Sequence, residues 1–249
     1  MVKVFMAGKL FIGTSGWNYF SWQEIFYPPG LPSKQYLNFY SQFFNTVEIN
    51  SSFYHFPLIK TYQNWYSQTP QNFIFSVKLH RSITHIKRMV DMQKEWEKFI
   101  DGVSNLAEKL GIILFQFPSS FRYNDENFRR IENFFVRIMK EKMKLAFEFR
   151  HQSWNNGEIE KLLKNYRAGW VIANSSRYPE IEKITSDFVY VRMHGPEELF
   201  ASEYSITQLK KLSEKIKKWK KQYDVFVYFN NDFYGYAVKN AKQLIRLCE

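Results

Sequence analysis

The run Leu145-Ala-Phe-Glu-Phe-Arg150 decides the fold. Side chains alternate across an extended chain, so Leu145, Phe147 and Phe149 share one face and Ala146, Glu148 and Arg150 the other. The first face is wholly apolar and must pack against helices. The second begins small and ends charged. Five more runs repeat the pattern: Thr46–Asn50, Phe73–Lys78, Ile112–Phe117, Val189–His194 and Val225–Asn230. In a closed barrel one parity faces the helices and the other faces the interior, which accounts for both faces at once.

Leu10–Thr14 and Trp170–Asn174 complete a set of eight strands. Helical patterns lie between them, the signature of a parallel sheet. A helix starts near Ser33, with Leu37, Tyr40 and Phe44 on one face. Another spans Gln93 to Leu110, with Gly111 as the residue that stops it. Asn124 or Asp125 caps a third, which carries Phe128, Ile131, Phe135 and Ile138, and the last runs through Ala237, Ala241, Leu244 and Ile245. A short irregular turn is expected after the sixth strand. No G-x-G-x-x-G or P-loop turn supports an open doubly wound sheet. The 249 residues suit one TIM (β/α)8 barrel of the α/β class spanning residues 1–249.

The interior parity carries Glu48, Lys78, Gln116, Glu148, Arg150, Arg192, His194 and Asn230 to the C-terminal mouth, where barrel enzymes place their chemistry. Unpaired buried charges cost several kcal/mol, so two readings compete. One is a salt-bridge network that merely closes the barrel. The other is a polar pocket, which is favoured for the set as a whole because stability alone would select apolar plugs.

The same residues sit in segments that resemble the domain of unknown function 72 (DUF72, YecE-like) family. These are GTSGWNY at Gly13–Tyr19, FYPPGL at Phe26–Leu31, VEINSSFYHFP at Val47–Pro57 and FIFSVKLHRSITH at Phe73–His85. LFQFPSSF at Leu114–Phe121, FEFRHQSW at Phe147–Trp154, YVRMHGP at Tyr190–Pro196 and VYFNNDFYGYAVKNA at Val227–Ala241 follow in order. The resemblance implies a TIM-type barrel and no established activity.

Composition narrows the class. A hydrophobic share of 45% and a charged share of 24% describe a globular chain. The single cysteine, Cys248, can form no internal disulfide, which points to a reducing, cytoplasmic setting. Lys3 and Lys9 interrupt the apolar N-terminal stretch and no cleavage site follows, so no signal peptide is expected. No membrane-spanning run is present. The formal charge of +11 favours anionic partners, although the dense run Lys210–Lys221 reads as the solvated side of a helix buried through Leu209, Leu212, Ile216 and Trp219.

These residues predict an enzyme acting on a small anionic substrate, a class that includes phosphorylated molecules. Arg150, Arg192 and Lys78 bind the anion, and Glu48 or Glu148 acts as base. His194 serves as acid or orienter, Gln116 and Asn230 hydrogen-bond the substrate, and Trp17 and Tyr54 wall the pocket. The strand-8 loop Asn230–Gly235 occupies the usual phosphate region of such barrels, the bland alternative being that Asn231 and Asp232 simply cap the last helix. A divalent metal on Glu48, Glu148 and His194 is the less favoured option, since no H-x-H, H-E-x-x-H or cysteine cluster is present and no motif specifies a cofactor. His80, His85 and His151 read as surface or packing residues. A retaining glycosidase also needs two carboxylates, but strands 4 and 7 end in Gln116 and in Arg192 with His194. The alternative is a nucleic-acid-binding or phosphodiester-cleaving protein, with Trp17, Tyr19, Trp22, Phe53, Tyr54 and Trp154 as stacking rings.

Overall fold

A computed structural model describes residues 7–138 and 143–249, so the N-terminal stretch around Lys3 lies outside the described residues. In chain order the main elements are β1 (Leu10–Thr14), α1 (Tyr36–Tyr40), β2 (Thr46–Ile49), α2 (Ser51–Tyr54), α3 (Ile59–Ser67) and β3 (Ile74–Lys78). Next come α4 (Gln93–Val103), β4 (Leu110–Gln116), α5 (Asp125–Ile138), β5 (Lys144–Glu148), α6 (Gly157–Asn165) and β6 (Gly169–Asn174). The chain ends with β7 (Phe188–Met193), α7 (Ile206–Trp219), β8 (Asp224–Phe229) and α8 (Tyr236–Cys248). The eight strands form one sheet in the order β1-β8-β7-β6-β5-β4-β3-β2, and all pairs are parallel. This is the TIM-type barrel expected from the alternation.

β1 and β2 meet at a seam closed by a single parallel bridge, Ser15 to Glu48, and by side chains. The Asn45 amide donates to Leu10 O at 2.8 Å. The Tyr40 hydroxyl accepts from Thr14 N at 2.9 Å and donates to Thr46 O at 3.1 Å, replacing a ladder bond. Gly13 permits the close approach, since a Cβ there would stand 2.2 Å from Thr46 O.

The interior is layered. Phe11, Ile112, Phe188 and Phe226 fill the N-terminal end, with Phe11 and Phe226 stacked at 4.6 Å. Hydroxyls come next: Tyr228 Oη lies 2.7 Å from Thr46 Oγ1 and 2.8 Å from Ser76 Oγ. Above them sit Glu48, Glu148 and Arg192, all buried. The opposite parity, including Val47, Phe75, Phe115, Phe147 and Val227, packs under the helices.

Three local expectations change. The helix read from Ser33 opens as a 3-10 turn, Ser33–Gln35, and α1 ends at Tyr40, short of Phe44. The helix read to Leu110 stops at Val103, a 3-10 segment runs Ser104–Lys109, and the reversal falls at Ala107 with φ 46°. Gly111 therefore ends no helix. It lies in β4, where a Cβ would stand 2.4 Å from Ile74 Cγ2. The strands also end early, so Asn50, Arg150, His194 and Asn230 lie just beyond them, on the first loop residues. The connection from β6 to β7 contains no helix, as expected. In α7 the buried residues include Leu209, Leu212, Ile216 and Trp219, and Ser205 with Gln208 forms a capping box.

Candidate active site at the strand ends

A cavity of about 720 Å³ opens at the C-terminal end of the barrel. Its wall includes Lys78, Gln116, Arg150, Arg192 and Asn230 from the strand ends, and Tyr54 from α2. Glu48, Glu148 and His194 do not reach that wall; they lie in the layer beneath it.

Arg192 organises this layer. Its Nη2 donates to Glu48 Oε1 at 2.7 Å and its Nη1 to Glu148 Oε2 at 2.5 Å. Glu48 also accepts from Ser15 Oγ and Tyr190 Oη, each at 2.7 Å. Glu148 Oε1 accepts from Arg150 Nε at 2.7 Å. Burial opposes ionisation of both glutamates, but the Arg192 charge and these donors outweigh it. Glu48 is held below the ordinary carboxylate range, and Glu148, with Arg150 added, well below it. Carboxylates so stabilised are weak proton acceptors, which speaks against the role of base and for positioning Arg192. Arg192 also stands between Glu48 and Glu148, so the two cannot close on one metal. Among the described residues no three His, Cys, Asp or Glu converge as ligands.

His194 Nδ1 lies 3.0 Å from Asn230 Nδ2, and its Nε2 lies 3.5 Å from Arg192 Nη1 and 3.6 Å from Glu148 Oε2. Burial, then the neighbouring Arg192, lowers it to about 4, so the ring is neutral near pH 7. A neutral His194 buried in the lower layer orients Asn230 and Glu148.

The cations on the wall have little to neutralise them. Arg150 uses only Nε on Glu148 among the described residues, and its guanidinium stacks 4.3 Å from the Tyr178 ring centre. Lys78 Nζ has no hydrogen bond or carboxylate partner among the described residues; it lies 3.9 Å from the Phe53 ring centre. Arg81 adds a third cation. Asp232 is the carboxyl group on the wall, and burial pushes it up to about 8. Geometry agrees: the Tyr19 hydroxyl lies 2.6 Å from Ser15 O and 3.0 Å from Asp232 Oδ2, and one proton cannot serve both acceptors. Asp232 Oδ1 is buried and has no hydrogen-bond partner among the described residues.

Several readings of single residues need correction. Trp17 does not line this cavity; it packs edge-on against Trp65 at 5.3 Å and faces an adjoining depression that shares Tyr54. Trp22 and Trp154 are fully buried and offer no stacking surface, whereas Tyr19, Phe53 and Tyr54 do face the cavity. Neither Asn231 nor Asp232 caps α8 through its side chain, because Gly235 takes the N-cap position. Asn231 instead donates to Ser202 O at 2.9 Å, tying two loops together. His85, read as a loop residue, lies on the cavity wall because a π-helical turn, Ser82–Ile86, follows β3. Its only sequence signal is position, a few residues past a strand end.

The chain matches the family described as protein of unknown function DUF72 over residues 11–249. It belongs to the DUF72 family. It is 28% identical to the UPF0759 protein YunF of Bacillus subtilis, with 96% of this chain and 95% of that protein covered. It is also 28% identical to the UPF0759 protein YecE of Escherichia coli over 112 residues, 45% of this chain and 39% of that one. A solved DUF72 structure from Thermotoga maritima superposes with a TM-score of 0.86 at 29% identity, covering 96% of this chain and 98% of that chain. A second DUF72 structure, from Enterococcus faecalis, gives 0.82 at 20% identity, covers 96% and 95% of the two chains, and speaks to the fold alone.

Proposed function

We propose that this DUF72 barrel is an enzyme whose strand-end cavity takes a small anionic substrate, with a carboxylate or a phosphate as the charged group. The observation that carries the reading is the imbalance at the wall: Lys78 and the terminal nitrogens of Arg150 are left without carboxylate partners, while Asp232 is protonated near neutral pH. The Arg150 guanidinium fork recognises an oxyanion, the Lys78 amine beside it adds N–H donors, and the buried setting strengthens the attraction. Gln116 and Asn230 supply hydrogen bonds, Tyr54 and Phe53 cover apolar parts of the ligand, and Glu48, Glu148 and His194 hold Arg192 and Asn230 in place. A volume of about 720 Å³ suits one small molecule.

The test is calorimetric titration with inorganic phosphate, glycerol 3-phosphate, pyruvate and a short single-stranded oligonucleotide. Saturable binding of the small anions, weakened about tenfold or more by Arg150→Ala, supports the reading. Salt-steep binding of the oligonucleotide alone, untouched by Arg150→Ala, transfers support to the nucleic-acid alternative.

A further inference from the structure

The fold treats two of its lysines in opposite ways. Lys109 is buried away from the cavity, and its Nζ donates to Tyr66 O at 2.6 Å, Thr69 O at 2.8 Å and Thr69 Oγ1 at 3.2 Å. Three acceptors serve three N–H donors, as a structural ammonium requires. Lys78, on the cavity wall, receives none of this. Both nearby carboxylates are taken: Glu48 by Arg192, Ser15 and Tyr190, and Glu148 by Arg192 and Arg150. What remains is the face of Phe53 and the open cavity.

Such a site favours the neutral amine. Burial, then the positive charges of Arg192 and Arg150, lowers Lys78 to about 7 against the pull of Glu48 and Glu148. A large fraction of the side chain then carries a free lone pair at neutral pH, the condition for a lysine nucleophile. His85 lies on the same wall and is kept neutral, lowered to about 4 by burial and by the Lys78 and Arg150 charges.

We propose that Lys78 is the nucleophilic amine of a covalent mechanism, condensing with the aldehyde or ketone carbon of a substrate that also bears a carboxylate or phosphate. This rests on the anion-cavity reading, with Arg150 as the holder of the charged group. Nζ attacks the carbonyl carbon, an N–C bond forms, and the π pair moves to oxygen. A proton passes from nitrogen to that oxygen, with neutral His85 as the relay, giving a carbinolamine. The nitrogen lone pair then expels the hydroxyl, which takes up one solvent proton and leaves as water, so a protonated imine remains. No electron donor or acceptor is needed. The cationic imine draws electrons from its neighbouring carbon, which is the purpose of such an intermediate.

The experiment is reductive trapping. The protein is incubated at pH 7 with glyceraldehyde 3-phosphate and sodium cyanoborohydride, with glyceraldehyde as the uncharged control, and the labelled lysines are mapped by peptide mass spectrometry. Lys78 is expected to carry label about tenfold or more above any α7 lysine, and the uncharged control to label it about tenfold less. Lys78→Arg is expected to remove the enrichment; the mapping on the unaltered protein stands even if that variant does not fold. Label spread over the exposed lysines, with Lys78 not enriched, overturns the covalent role. Saturable phosphate binding in the same preparation then leaves the anion cavity standing, and its absence removes both.

Discussion

Arg192 and Glu148 form a buried ion pair across the barrel interior, with Nη1 2.5 Å from Oε2. The same guanidinium holds Glu48 at 2.7 Å, so one side chain of β7 ties β2 to β5 beneath the cavity. Removing one partner of a buried pair strands the other charge, at about 3–5 kcal/mol. Arg192→Met strands two carboxylates and is expected to cost at least that much in urea unfolding. The folded-state pKa values of Glu48 and Glu148 lie below the ordinary carboxylate range, so their contribution is present above that range and is lost as pH falls through their folded values. In the unaltered protein this loss is confined to acid pH, and Glu148→Gln is expected to shrink its pH dependence.

Asp232 has the opposite sign. Its folded value is raised from 3.8 to about 8, so stability is highest below the unfolded value and falls as pH rises to about 8. Asp232→Asn is expected to flatten that slope and to be the more stable protein at pH 8, by on the order of a few kcal/mol. Urea unfolding at a series of pH values reads this out. Equal slopes in the two proteins contradict a protonated Asp232.

Lys78 is also a stability liability. Its folded value is lowered from 10.5 to about 7, so the penalty is full below pH 7 and fades as pH rises toward the ordinary lysine value. Lys78→Met is expected to gain on the order of a few kcal/mol at pH 6 and to converge with the unaltered protein near the ordinary lysine value. Such a gain, with anion affinity reduced, is the pattern of a residue retained for function.

The seam gives a test of closure. Tyr40→Phe removes the hydroxyl that accepts from Thr14 N and donates to Thr46 O, leaving a buried amide unpaired. The expected loss is about 1–3 kcal/mol. Amide exchange should quicken at Thr14 and leave the β7–β8 pairing unchanged.

Much of this was legible because parity survives in sequence. The turn from apolar to charged along Ala146, Glu148 and Arg150 places those residues on the interior and orders them toward the mouth. Parity gives the side, not the depth. Nothing in the alternation says that one Arg192 satisfies both glutamates and thereby withdraws them from the cavity. Gly111 was misread because a glycine after a helical pattern signals a stop, whereas here its bare Cα lets β4 pass Ile74. His85 and Asp232 carry no periodic signal; a π-helical turn and a Tyr19 contact bring them to the wall. The described helices include none long and apolar enough to cross a membrane.

The terminal nitrogens of Arg150 and the Lys78 Nζ face a small cavity with no carboxylate partner among the described residues. Crystals soaked in selenate and measured at the selenium edge test this directly. An anomalous peak is expected about 4 Å from Lys78 Nζ and from the Arg150 guanidinium nitrogens, selenium standing one bond behind the hydrogen-bonded oxygen. Peaks confined to the exposed lysines of α7, with the cavity empty, would contradict it.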